Sequence, residues 1–168
     1  MAFNNISQNN LKRILHYDSD TGIFTRLYNS SGARKGSIAG SKTKQGYIHI
    51  RVKTDRVLAH RLAWLYVHGE MPKLFIDHIN HDKTDNRISN LRLVTRIENS
   101  KNLGKSIRNT SGFVGVSYNK SNNQWRADIR IDGKLKYLGG YKLKTGAIKA
   151  RKEAENYYGF HKNHGKEL

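Results

Sequence analysis

The 168-residue chain has no cysteine. Disulfide staples, thiol nucleophiles and Cys-ligated zinc are thereby excluded. Acidic residues are scarce: 13 Asp and Glu stand against 31 Lys and Arg, a formal net charge of +18. That excess is well beyond what keeps a small domain dispersed. It attracts polyanions, of which nucleic acid is the commonest inside cells. Long apolar runs are missing too, and no stretch approaches the ~20 residues that a membrane-spanning helix needs. The opening "MAFNNISQNNLKRIL" lacks the apolar centre of a secretory signal. The expectation is an intracellular, cytoplasmic protein with a polyanionic partner and no membrane partner.

The basic charge is not confined to a tail. Residues 1–99 hold 16 basic and 8 acidic side chains, and residues 100–168 hold 15 and 5. Both halves are therefore expected to touch the same polyanion. A ribosome-associated or RNA-binding protein would be equally basic, so charge alone selects no activity.

Hydrophobic spacing divides the chain. "LKRILHYD" (11–18) predicts a short helix, "IFTRLY" (23–28) a strand after the turn "SDTG", and "YIHIRV" (47–52) another strand. Between them, 29–46 is rich in Gly, Ser and Lys and reads mostly as loop. "VLAHRLAWLYVHG" (57–69) has Leu58, Leu62, Leu65 and Tyr66 on one helical face and Gly69 as a stop. "LFIDHIN" (74–80) and "ISNLRLV" (88–94) are strand-like, separated by the polar loop "HDKTDN". Thr95 with Glu98 three residues later is a capping box that predicts a helix from 95. The local order is strand, loop, strand, helix. Residues 105–112 read as a polar linker. "FVGVSY", "QWRADIRI" and "KLKYLGGY" are three strands joined by Asn, Asp and Gly turns, and "KTGAIKARKEAENYYG" (144–159) is a helix. Residues 161–168 read as a basic tail.

The stretch "IDHINHDKTDNRISNLRLVT" (76–95) concentrates groups suited to phosphodiester hydrolysis. That reaction needs a base to activate water, a cation to offset charge on phosphate, and something to orient the base. His78 is a suitable base because imidazole titrates near neutral pH. Asp77 is a hard oxygen ligand. The two are consecutive strand residues, so a flat strand would point them to opposite faces. Asn90, on the partner strand, is placed to hold the imidazole, and Asn99 lies in the first turns of the capped helix. His60, in a mostly apolar helix, reads as a packed, hydrogen-bonded histidine; His81 reads as turn rather than ligand.

"HRLAW…IDHINHDKTDNRISNLRLVTRIEN" resembles the HNH nucleases, in particular the homing-endonuclease-like branch of phages and mobile introns. The resemblance spans roughly residues 17–103. It implies a ββα-metal fold, with His78 as general base, Asn90 orienting it, and Asp77 and Asn99 binding one divalent ion. Asn99 stands where many of these enzymes have His, which favours Mg2+ or Mn2+ over softer metals. The resemblance implies double-stranded DNA as partner, a monomer or a DNA-dependent dimer, and a host cytoplasm if the protein is phage-encoded.

In "QWRADIRI" the residues Trp125, Ala127, Ile129 and Ile131 share one strand face, while Arg126 and Arg130 share the other. A β-sheet face fits the major groove, where Arg reads guanine or grips phosphate. "GFVGVSYNKSNNQWRADI…KYLGGYKLKTGAIKARKEAENYYG" resembles the plant ethylene-response-factor (APETALA-2) DNA-binding domain over residues 112–159. The resemblance implies that Arg126, Arg130 and Tyr137 face DNA. Val114 and Ser117 replace arginines of the plant domains, so their base preference does not transfer. Lys120, in the first turn, is expected to contact phosphate.

The expected fold class is α+β: an HNH nuclease domain over 1–104, then a three-stranded antiparallel sheet packed on one helix over 113–160. The expected function is a metal-dependent DNA endonuclease. The alternative is a non-catalytic, sequence-specific DNA-binding protein on an inactive nuclease fold.

Overall fold

Two clusters of buried apolar side chains organise the chain, one on each side of the Thr95–Arg96 peptide. The computed structural model describes residues 6–29, 32–102, 104–106 and 108–166. The protein is α+β, with short helices and small antiparallel sheets.

In the first unit, Ser7 caps helix α1 (Gln8–Ile14) by accepting a bond from the Asn10 amide at 3.3 Å. The helix predicted over 11–18 stops early. Leu15 and Tyr17 are buried and His16 between them is exposed, a period of two that makes Leu15–Tyr17 a strand, β1. It pairs with β2 (Phe24–Arg26) across a turn in which Asp18 Oδ1 accepts from the Asp20 amide at 2.9 Å. Strands β3 (Ser41–Lys42), β4 (Ile48–Val52) and β5 (Asp55–Leu58) form a second antiparallel sheet. Helix α2 (Ala59–His68) follows directly, buries Leu62, Ala63 and Leu65, and ends at the left-handed Gly69. A hairpin of β6 (Phe75–His78) and β7 (Leu91–Val94) completes the unit. The strand expected from residue 88 starts only at Leu91, because Ile88–Asn90 is a single 3-10 turn. Leu11, Phe24, Ile50, Val57 and Leu62, all almost fully buried, tie helices and sheets into one core that Leu91 joins.

The second unit opens with α3 (Arg96–Ser100). Strands β8 (Val116–Asn119), β9 (Gln124–Ile131) and β10 (Lys134–Tyr141) form an antiparallel sheet in the order β10-β9-β8. Helix α4 (Lys144–Tyr157) lies on it. Ala147 on the helix and Ala127 on β9 are wholly buried, and their small side chains let the two elements approach closely. Arg151 is 3% exposed on the same helix face. Its guanidinium is satisfied by the Asp128 carbonyl at 2.7 Å and the Glu155 carboxylate at 2.9 Å, as a buried charge requires. The stretch expected to be a basic tail is folded over 161–166: the His161 amide donates to the Lys101 carbonyl, and the Lys105 amide to that of Lys166. Residues 167–168 lie outside the described part.

One glycine links the fold to the site. At Gly22, φ is +73° and an added Cβ would lie 2.4 Å from the Arg87 amide nitrogen and 2.5 Å from the Asn86 carbonyl carbon. Gly22→Ala should lower stability by at least about 1–3 kcal/mol, from left-handed strain and backbone collision together. A urea unfolding midpoint equal to that of the parent protein would contradict this packing.

Candidate active site

Register in the β6–β7 hairpin sets Asp77 opposite Arg92 and His78 opposite Leu91. Arg92 Nε and Nη2 both donate to Asp77 Oδ2, at 2.9 and 2.7 Å. Asp77 is 8% exposed, and this charge-assisted pair offsets the burial of its carboxylate. Sequence reasoning missed Arg92; the signal lay in the hairpin register, which a sequence does not display.

His78, the last residue of β6, is also buried. Its Nε2 lies 3.4 Å from Asn86 Oδ1. Two aromatic neighbours flank the ring: Tyr47 at 5.9 Å between centroids, and His60 at 5.1 Å, edge-on at 84°. Burial pushes the imidazole below the ordinary histidine value, against opposing pulls from the Asn86 bond and the Asp77, Asp85 and Asp82 carboxylates. A neutral imidazole at neutral pH is a competent proton acceptor. The puzzle of consecutive strand residues thus resolves in burial of both faces, each side chain having its own partner.

The hydrogen bonds of the Asn90 side chain run into the loop. Its Oδ1 accepts from the Asn80 amide at 3.0 Å, and its Nδ2 donates to Asn80 Oδ1 and to the Asp85 carbonyl, both at 2.9 Å. The 3-10 turn that carries Asn90 aims its amide into the loop rather than across the hairpin. The rest of the polar crowd is a scaffold of side-chain-closed turns. Asp82 Oδ1 accepts from the Thr84 amide and hydroxyl, and Asp85 takes a two-pronged bond from Arg87. Those bonds hold both carboxyls below their usual range, with the Thr84 hydroxyl the main cause at Asp82 and Arg87 at Asp85. Asn86, which by sequence is one more residue of the polar loop, is 3% exposed and brings its side-chain oxygen to the imidazole.

The structure therefore gathers Asp77, His78 and Asn90 on one hairpin, while Asn99 is carried by α3 in the second unit. Among the described residues no three His, Cys, Asp or Glu side chains form a metal cage. The Asp77 carboxylate, buried and held by Arg92, offers hard oxygen donors of the kind that Mg2+ and Mn2+ take beside water and phosphate oxygens.

Two surfaces offer cations to a polyanion. On the outer face of β9, the Arg126 guanidinium is tied to Asp128 at 2.7 Å and stacks 5.0 Å from the Tyr137 ring centre. Tyr137, Arg130 and the turn residue Lys120 are exposed. Asn119, Asn122 and Gln124 join Arg126 and Tyr137 around a shallow depression there. The second surface belongs to the first unit and was not resolved into residues by the sequence. Arg26, Arg34, Arg51, Lys53, Arg56 and His49 line a groove with no Asp or Glu among its described lining residues. Arg51 and Arg56 sit directly opposite each other on β4 and β5, an arrangement that costs stability unless an anion lies over it.

Known proteins resemble parts of the chain. Residues 57–101 match the family model described as HNH endonuclease. Protein 3.8 of Escherichia phage T7 is 37% identical over 76 residues, 45% of this chain and 63% of that protein. The Uncharacterized HNH endonuclease L560 of Acanthamoeba polyphaga mimivirus is 36% identical over 92 residues, 54% of this chain and 46% of that protein. The chain thus spans less than two thirds of either relative. A solved structure titled "DNA binding and cleavage by the HNH homing endonuclease I-HmuI" aligns over 91% of this chain and 88% of that one. Its identity is 23% and its TM-score 0.41, too loose a likeness to transfer geometry.

His60 makes the site sensitive to acid. It is 6% exposed, its Nδ1 has no hydrogen-bond partner among the described residues, and its pKa is pushed down to about 3, by burial first and then by His78 and Arg61. The unfolded chain therefore takes up a proton at His60 well before the folded one does. The stability this contributes is complete above the ordinary histidine value of 6.5 and is lost as pH falls toward 3. Between those values the slope is at most about 1.4 kcal/mol per pH unit. His60→Phe should flatten the fall in unfolding free energy between pH 6.5 and 4, and a slope unchanged from the parent would refute the assignment.

Proposed function

We propose that this protein is a metal-dependent endonuclease that hydrolyses phosphodiester bonds in double-stranded DNA, of the HNH homing type found in phages. The observation that carries the reading is a buried imidazole, depressed toward its neutral form, adjacent in sequence to a buried carboxylate, inside the HNH-matching segment. His78 accepts the proton of the attacking water. Arg92 fixes the Asp77 carboxylate in one orientation, and Asn90 closes the loop that follows His78, so that the strand end does not fray. Asp77 would supply a ligand to the divalent cation, Mg2+ or Mn2+. Such a cation, when bound, supplies positive charge to the phosphate and the leaving oxygen.

DNA affinity comes from both units. The groove around Arg51 and Arg56 grips backbone phosphates of the duplex. The β9 face, with Arg126, Arg130, Tyr137 and Lys120, is the interface of an APETALA-2-like module. A three-stranded sheet backed by one helix supports that reading. Tethering two binding surfaces on one chain raises the local concentration of the nuclease at its site. One site per chain suits nicking by a monomer, or cutting of both strands by a DNA-dependent dimer.

With Mg2+ or Mn2+ the protein should cut plasmid DNA, and EDTA should stop it. His78→Ala should reduce the cleavage rate by about 10²–10⁴-fold, the usual contribution of a general base, and leave DNA affinity nearly unchanged. Cleavage that survives this substitution would remove His78 from the role, and DNA binding without any cleavage would favour a non-catalytic binding protein. Arg51→Ser with Arg56→Ser should lower the slope of log affinity against log salt by about 2, close to 0.9 for each phosphate no longer neutralised. Filter-binding titrations at several salt concentrations read this directly, and an unchanged slope would take the groove out of the interface.

A further inference from the structure

The imidazole of His78 is held by a residue that is itself held from outside the HNH-matching segment. Asn86 Nδ2 donates to the Thr84 carbonyl at 2.9 Å, which fixes the amide so that its oxygen, and not its nitrogen, faces the ring. An amide oxygen only accepts, so His78 Nε2 must carry the hydrogen. A neutral ring that donates from Nε2 presents Nδ1 as its proton-accepting atom.

Asn86 in turn is braced by the β1–β2 hairpin. The Tyr17 hydroxyl donates to the Asn86 main-chain carbonyl at 2.7 Å. Tyr17 is 5% exposed and packs on Phe24 and Tyr66, with ring centres 4.7 and 5.6 Å away. Gly22, at the end of the hairpin turn, sits so close to the Asn86–Arg87 peptide that no Cβ fits. Both Tyr17 and Gly22 meet the backbone of the loop, so changing the Asn86 side chain leaves this bracing in place.

We propose that Asn86 is the positioning residue that fixes the tautomer and orientation of His78, and that the β1–β2 hairpin, through Tyr17 and Gly22, holds Asn86 in register with it. The N-terminal hairpin is then a working part of the catalytic unit and not only an extension of the fold. The consequence for rate rests on the nuclease reading above; the tautomer does not.

The test uses the full chain, labelled with 15N at histidine and kept in EDTA, at a pH where His78 is neutral. Long-range 1H–15N correlation spectra distinguish the two neutral tautomers, and His78→Ala assigns the signals. The parent protein should show His78 as the Nε2–H form. Asn86→Ala should mix the tautomers, while Asn86→Asp, which keeps an acceptor oxygen, should restore the Nε2–H form. Tyr17→Phe should give an intermediate spectrum. In cleavage assays Asn86→Ala should lower kcat by at least about tenfold, a part of the general-base contribution, with KM and DNA affinity within about twofold. An Nδ1–H tautomer in the parent protein overturns the proposal without any variant. So does a spectrum unmoved by Asn86→Ala. If the parent protein does not cleave DNA at all, the nuclease reading fails, and the spectra still decide the role of Asn86.

Discussion

Burial of one imidazole constrains everything around the candidate site. His78 lies in a polar stretch of a chain with net charge +18, yet its ring is withdrawn from solvent to 5% exposure. Removing it from water disfavours its charged form and keeps a lone pair available near neutral pH. That burial has structural consequences. The ring needs a flat neighbour, which His60 and Tyr47 provide, and an acceptor for its N–H, which Asn86 provides. Asn86 can serve only while its own backbone is fixed, and the fixing groups come from β1 and the turn after it. The imidazole on β6 therefore depends on a tyrosine far earlier in the chain.

A similar division of labour governs the carboxylates. Asp82 and Asp85 are occupied with turn amides, the Thr84 hydroxyl and Arg87, so they shape the loop. Asp77 is both buried and paired to a basic side chain on the opposite strand. Basic residues divide in the same way. Arg92 and Arg151 are committed to carboxylates inside their own units, whereas the groove cations around Arg51 face one another with no acid among the described lining residues. The first group stabilises the protein without a partner. The second is at its most stable when a polyanion lies across it.

Much of the fold was legible in the order of residues. The alternation of Trp125, Ala127, Ile129 and Ile131 against Arg126 and Arg130 marked the β9 faces, and Gly69 marked the end of α2. The α1 boundary was not legible, because Leu11, Ile14, Leu15 and Tyr17 satisfy a helical period and a strand period at once. Pairing with Phe24 and Arg26 selects the strand. The site was legible in part. Asp77 and His78 stood out by type and spacing. Asn86 and Asn90 are the same residue type in the same polar stretch, and nothing local distinguishes the one that holds the imidazole from the one that closes the loop.

What the sequence by itself determined is the chemistry available: no thiol, a large cationic excess, a histidine beside an aspartate in a strand–loop–strand–helix order, and a second unit of three strands and a helix. These follow from composition and from periods of two and 3.6, which are local properties. Only the tertiary structure decided which group each side chain serves. Hydrogen bonding and burial join residues remote in sequence, such as Tyr17 to Asn86 and His60 to His78, and local periodicity carries no information about such pairs.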